Sequence, residues 1–264
     1  MRIVSHSCSN TEIICALGAG GQLVGVDDHS DYPPDVVNRL PRVGPDLDVD
    51  PARVAALSPD LVVVSDTVPG HERVIENLQA AGLPLLITAP RSLSDIATDI
   101  RSIAAALDLA AQGEQLAADF LQQLQQAGKP EAAHNTQLLP VLIEWWPKPV
   151  IVPGRQSWAT QLIELAGGSN PWADEDVASL EISTAQAQAA APELIIMSWC
   201  GVSSDNYRPH IVRRRAGWEN IPAVRHDRIQ PISEAWLGRP GPRLIHGLHA
   251  LRRQIQACTS PHYS

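Results

Sequence analysis

The stretch Ser58-Pro59-Asp60-Leu61-Val62-Val63-Val64-Ser65 is matched far along the chain by Ala191-Pro192-Glu193-Leu194-Ile195-Ile196-Met197-Ser198. In each, a proline and an acid make a turn and a continuous apolar run follows. A strand with one wet face alternates apolar and polar residues, whereas an unbroken run rich in branched side chains fits a strand covered on both faces of a parallel sheet. Two such stretches predict two parallel sheets, one in each half of the chain.

The surroundings repeat as well. Ile3-Val4 reads as a strand, Ser5 to Asn10 as a polar loop, and Thr11 to Gly18 as a helix stopped by glycine. Leu139 to Ile143, a tryptophan-rich loop and Trp158 to Gly168 follow the same order of strand, loop, helix and glycine stop. Leu85-Leu86-Ile87 and Arg228-Ile229-Gln230-Pro231-Ile232 add further strands. Between the copies, Ile96, Ile100, Ile103 and Leu107, then Leu116, Phe120 and Leu124, recur at helical spacing. That segment is expected to be helix with at most one break near Leu109 to Gln112, stopped by Gly128-Lys129-Pro130. The predicted fold is α/β, two Rossmann-like lobes joined by a long helix: an N-terminal lobe over 1–93, a connecting helix over 94–128 and a C-terminal lobe over 129–264. A helical connector resists bending, so lobe closure is expected to be small.

A chain of 264 residues, 44% hydrophobic, can bury two cores. Its formal charge of −9 offers no basic field to nucleic acid or anionic membranes, so neither partner is expected. No apolar run is long enough to span a bilayer. Met1-Arg2 runs straight into Ile3-Val4 without a secretory pattern, which reads as cytoplasmic, with a periplasmic protein that has lost its leader as the alternative. Cys8, Cys15, Cys200 and Cys258 lack metal or redox spacing and read as thiols.

Ligands of open α/β lobes sit beyond the carboxyl ends of the strands. The loops predicted there are Ser5–Asn10, Asp27–Tyr32, Pro45–Asp48 and Ser65–Gly70 in the first lobe, and Glu144–Arg155, Trp199–Asn206 and Glu234–Arg239 in the second. Facing lobes would share one cleft. Seven tryptophans against one phenylalanine are notable, because Trp145, Trp146, Trp199 and Trp236 fall in or beside second-lobe loops. Indoles on loops suit a broad, flat, amphipathic ligand; the alternative is that they pack the lobe core. No nucleophile elbow and no paired-histidine metal motif occurs. His71-Glu72 reads as the solvated start of a helix, and no catalytic residue is singled out.

Several of these segments together resemble the cobalamin-binding substrate-binding proteins of bacterial uptake systems. In the first lobe they are Ile3-Val4-Ser5, Asn10-Thr11-Glu12, Val24-Gly25-Val26, Asp31-Tyr32-Pro33-Pro34 and Ser58 to Val62. In the second they are Glu144-Trp145, Leu165 to Gly168, Gly217 to Val224, and Trp236 with Arg239, Pro242 and Arg243. The resemblance implies a corrinoid held edgewise between two lobes, with no catalytic cofactor. Carried over by position, it puts Cys8, Ser9, His29, Tyr32 and Asp46 at the ligand in the first lobe, and Trp145, Trp146, Trp199 and Trp236, with Arg239, could supply the aromatic and polar contacts from the second. Asp46 stands where the family often has tryptophan and His29 where it often has an aromatic residue; His29 or Cys8 could ligate the cobalt. Transport-coupled members dock on a permease through an acid on each lobe, yet Ala52 and Ala185 occupy the matching positions, with Asp50 and Glu181 nearby. Permease docking is therefore doubtful from sequence. Two other readings stay open: a siderophore or haem binder using Arg155, Arg208 or Arg239, and an enzyme acting on a corrinoid through His29 or Cys8.

Overall fold

The computed structural model describes residues 1–128 and 138–259. It divides into two compact units, one of residues 1–121 with 240–242, the other of 122–239 with those from 243 on.

The first unit runs β1 (Ile3–Ser5), α1 (Cys8–Ala16), β2 (Leu23–Val26), α2 (Pro34–Val37), α3 (Pro51–Ala56), β3 (Leu61–Ser65), α4 (His71–Ala80), β4 (Leu85–Thr88) and α5 (Leu93–Ala106). The unit boundary falls inside α6 (Ala110–Gly128). The four strands form a parallel sheet in the order β2-β1-β3-β4. Val62, Val63 and Val64 are completely buried, as an unbroken apolar run in a doubly covered strand requires. The core on one side gathers Val4, Val43, Val54, Val62, Val64 and Leu78.

The second unit continues with β5 (Leu139–Glu144), β6 (Trp146–Pro147), β7 (Val150–Pro153), α7 (Trp158–Leu165), β8 (Gly168–Ser169), β9 (Ser179–Ile182), α8 (Thr184–Ala190) and β10 (Leu194–Met197). It ends with α9 (Pro209–Arg213), α10 (Pro222–Arg225), β11 (Ile229–Pro231), α11 (Glu234–Leu237) and α12 (Leu244–Thr259). Its parallel sheet has the order β11-β10-β5-β8. Counted from β8, the strands come second, first, third and fourth in the chain order of that sheet, which is the first unit's topology again.

The repeat extends to backbone detail. Ser58 and Ala191 both adopt left-handed φ, 47° and 43°, where the chain leaves α3 and α8 for the proline-acid turn. Ala52 and Ala185 are each the second residue of these helices, behind the caps Asp50 and Ser183. The Asp50 carboxylate is occupied by the backbone N–H of Ala52 at 2.8 Å, and Glu181 lies in β9.

Two features depart from the sequence expectation. The connector, with the one break that the sequence allowed falling at 107–109 where Asp108 takes a φ of 58°, is two helices. The first of them, α5, turns Ile96, Ile100 and Ile103 fully into the first unit's core, so that unit runs past residue 93. The expected stop at Lys129-Pro130 lies outside the described residues. Finally, the Glu144–Arg155 loop is largely an antiparallel hairpin, since β6 pairs with β7 and β7 with β9. No described helix is long and apolar enough to cross a membrane.

On α5 one carboxylate is left without a partner: Asp99 Oδ2 is buried and makes no hydrogen bond. Burial, aided by the charge of Asp95, pushes the Asp99 carboxyl up to about 7. A carboxyl whose folded value is raised binds its proton more tightly folded than unfolded. The stability it lends is therefore complete below the ordinary carboxylate range and is lost as pH rises toward 7. Asp99→Asn is expected to stabilise the protein by about 1–2 kcal/mol at pH 8 and by much less at pH 5, measured by urea unfolding at both pH values.

Candidate functional site

The carboxyl edge of the first unit's sheet carries a cluster of imidazoles and carboxylates. His6 follows β1 directly and is fully buried. Its Nδ1 accepts from the backbone N–H of Ser65 at 3.2 Å, so the ring proton sits on Nε2 and is donated to the Asp46 carbonyl at 2.6 Å. Burial lowers the pKa of this imidazole against the opposing pull of that carbonyl, with His71 adding to the lowering. The His71 ring meets His6 edge-on, centroids 5.0 Å apart. His71 Nδ1 accepts from the N–H of Thr67 at 3.2 Å, which leaves its proton on Nε2. That Nε2 is buried without a hydrogen bond, 3.6 Å from Asp46 Oδ2.

Asp46 is thus held from beneath by two rings, while its side chain remains 34% exposed. His71 holds the carboxyl below the usual carboxylate range, against the effect of burial. On the outer side His29 Nε2 lies 3.7 Å from Asp46 Oδ1, its side chain 46% exposed. His29 is positioned by its neighbours: its N–H donates to Asp27 Oδ2 at 3.0 Å and its carbonyl accepts from Cys8 Sγ at 3.0 Å. Asp27, buried at the end of β2, also accepts from Ser30 Oγ, and burial raises its carboxyl despite these bonds. Arg42 ties the loop down through the carbonyls of Asp27 and Ser30. The loop bearing Asp46 starts at Gly44, whose φ is +116°, and a Cβ there would stand 2.7 Å from the Asp48 carbonyl.

Of the residues expected to meet a ligand from this lobe, Cys8, His29 and Asp46 come together in this cluster. Ser9 is buried in the first turn of α1, its hydroxyl 3.0 Å from that of Ser7. Tyr32 is exposed at the end of the 27–32 loop. His6 was not singled out by sequence, and His71 is a correction: the supposed solvated helix start is 2% exposed. Among the described residues no three His, Cys, Asp or Glu side chains could hold a bare metal ion.

The second unit's carboxyl edge is organised by a buried ion pair. Glu144, the last residue of β5, is fully buried and takes both arms of Arg215, at 2.6 and 3.1 Å. Trp199, two residues past β10, donates its Nε1 to Glu144 Oε1 at 2.9 Å. Arg215 also reaches the Pro147 carbonyl of the hairpin at 3.3 Å and lies over the Trp218 ring at 4.2 Å. The chain of bonds continues from the Trp199 carbonyl to the Tyr207 hydroxyl and from there to the Glu234 N–H.

The four tryptophans therefore differ in station. Trp199 and Trp145 are 5% and 8% exposed, and Trp199 belongs to the unit's core. Trp146 lies on β6, not a loop, and is 41% exposed. Trp236 lies on α11, its ring 5.8 Å from that of His246. Gly247 of α12 lets the helices approach so closely that a Cβ there would overlap the Trp236 carbonyl. Arg239 is largely buried and donates to Glu234 at 3.2 Å. Arg155 is paired with Asp176 at 2.8 Å, and Arg208 with the carbonyls of Asp205 and Tyr207.

Two duplicated parallel-sheet units with polar and aromatic clusters at their carboxyl edges define an α/β binding protein. A family model described as periplasmic binding protein matches residues 3–234, and the chain belongs to that family. The vitamin B12-binding protein of Pectobacterium atrosepticum is 30% identical over 260 residues, 96% of this chain and 88% of the relative. That of Vibrio parahaemolyticus is 28% identical over 94% of this chain and 86% of its own length. Among solved structures, the periplasmic heme-binding protein of Roseiflexus sp. RS-1 matches with a TM-score of 0.84 and 31% identity, covering 98% and 99% of the two chains. The periplasmic vitamin B12-binding protein of Vibrio cholerae matches with a TM-score of 0.78 and 26% identity over 98% of each. This chain is a substrate-binding protein and not an enzyme.

Removing one partner of a buried ion pair strands the other. Arg215→Ala is expected to cost about 3–5 kcal/mol in urea unfolding. The same variant should lose native near-ultraviolet tryptophan ellipticity, because Trp199 and Trp218 both rest on this pair.

Proposed function

We propose that this protein binds a corrinoid, cobalamin or cobinamide, for uptake. The ligand would be met by Cys8, Ser9, His29, Tyr32 and Asp46 of the first unit and by Trp145, Trp146, Trp199, Trp236 and Arg239 of the second. In this reading Trp146 and Trp236 offer the apolar faces, and buried Trp145 and Trp199 stiffen the wall behind them. His29, the exposed imidazole of the first-unit cluster, is our candidate for contact with the cobalt. The relatives named as periplasmic lend support to an exported protein, and none to the cytoplasmic expectation. Coupling to a permease would not use an acid at Ala52 or Ala185.

The observation that carries the corrinoid reading is the state of the arginines. A haem or a catecholate siderophore brings negative charge that a binding site must answer with cations. Of the three candidates, Arg155 and Arg239 are paired with Asp176 and Glu234 of their own unit, and Arg208 gives one nitrogen to two backbone carbonyls. The vitamin B12-binding relatives point the same way. The second reading, a haem binder, rests on the likeness to the Roseiflexus protein.

Titration with cyanocobalamin, dicyanocobinamide and hemin, followed by tryptophan quenching, separates the two. Both corrinoids are expected to bind at about micromolar concentration or below, at least about tenfold tighter than hemin. Tighter binding of hemin would replace the corrinoid reading. Trp146→Ala should weaken cyanocobalamin binding by about 1–3 kcal/mol.

A further inference from the structure

The backbone that carries the Asp46 carboxylate is held on several sides. His6 holds its carbonyl at 2.6 Å, and the turn around it is closed by Asp48 N–H to the Pro45 carbonyl at 2.9 Å. The neighbouring loop is joined to it by Asp28 N–H to the Gly44 carbonyl at 2.9 Å. Beneath lies His71 Nε2, a fully buried donor with no hydrogen bond, aimed at Oδ2 from 3.6 Å. One acidic side chain is therefore kept at a fixed spot on the carboxyl edge, one third of it open to whatever arrives there.

The groups placed around this carboxylate are the imidazoles of His6, His29 and His71. The one arginine of the edge segments 27–32, 42–48 and 65–70 is Arg42. Arg42 is spent on two backbone carbonyls. A ligand carboxylate arriving at Asp46 would meet like charge in a partly desolvated place. A primary carboxamide carries no charge and has N–H groups to donate.

We propose that Asp46 is a specificity-determining residue that accepts hydrogen bonds from the carboxamide periphery of a macrocycle and turns away macrocycles whose periphery is carboxylate. The proposal rests on the corrinoid reading above and names which chemical form of that ligand class is selected.

The test compares dicyanocobinamide with dicyanocobyrinic acid, the same corrin bearing carboxylic acids in place of amides, on the parent, Asp46→Asn and Asp66→Asn at one pH and salt concentration. The parent should favour the amide form, and Asp46→Asn should narrow that preference by about tenfold or more, partly through tighter binding of the acid form. Asp66→Asn should leave the preference nearly unchanged. An unchanged ratio in folded Asp46→Asn, or equal narrowing in Asp66→Asn, overturns the assignment. If the parent binds hemin but neither corrin, the corrinoid reading fails, and hemin against its dimethyl ester becomes the deciding pair. Asp46→Asn should then tighten hemin and not the ester, and failure of that overturns the role of Asp46 independently. A parent that binds none of the four overturns both.

Discussion

A strand covered on both faces of a parallel sheet has no position along its length for a group that needs water or a ligand. In β3 the three central valines are completely buried, and in β10 all four residues are. Polar chemistry is therefore driven to where the strand ends and its hydrogen-bonding ladder stops, and the parallel arrangement sends every such end to the same edge. His6 after β1, Asp27 after β2, Thr67 after β3, Glu144 at the end of β5 and Trp199 after β10 all follow from that one constraint. The helices then decide which of these groups are covered and which stay open.

The two units solve the same problem with different chemistry. The first uses neutral donors: two imidazoles, each with one nitrogen committed to a backbone N–H, turn their remaining N–H groups toward Asp46. The second buries a full charge in Glu144 and satisfies it with a bidentate guanidinium and an indole N–H. A buried ion pair is a poor source of net stability but a strong locator, because neither partner can leave without stranding the other. It is suited to hold the hairpin, the Trp199 loop and the Trp218 segment in one arrangement. The first unit's arrangement leaves its carboxylate partly free, which suits a group meant to meet something else.

What the sequence made legible was whatever depends on local pattern. The apolar runs of β3 and β10, the glycine stop at Gly18 with its φ of +81°, and the 58–65 and 191–198 repeat are all readable without tertiary knowledge, since neighbours in the chain decide them. What escaped depends on partners distant in sequence. His71 follows Gly70 at the start of an amphipathic helix, where exposure is the ordinary outcome; it is buried because Asp46 and His6 cover it, residues 25 and 65 positions away. Trp145 and Trp199 read as loop indoles, yet an acid at the end of β5 draws Trp199 inward. The hairpin was missed because β6 has only two residues and contains a proline, too short for any alternation to show.

This contrast bears on how ligand class is read in a duplicated fold. Apolar platforms are weak discriminators between flat macrocycles, because an indole face accepts any of them and its contribution scales with area covered. Charge at the periphery discriminates more sharply, since a carboxylate opposite a fixed carboxylate is penalised whereas an amide is not. In this chain Arg155 and Arg239 are paired within the second unit, and the first unit's partly open group is an acid. On the proposed reading the aromatic residues would supply affinity toward a broad ring, and the disposition of charge would decide which ring.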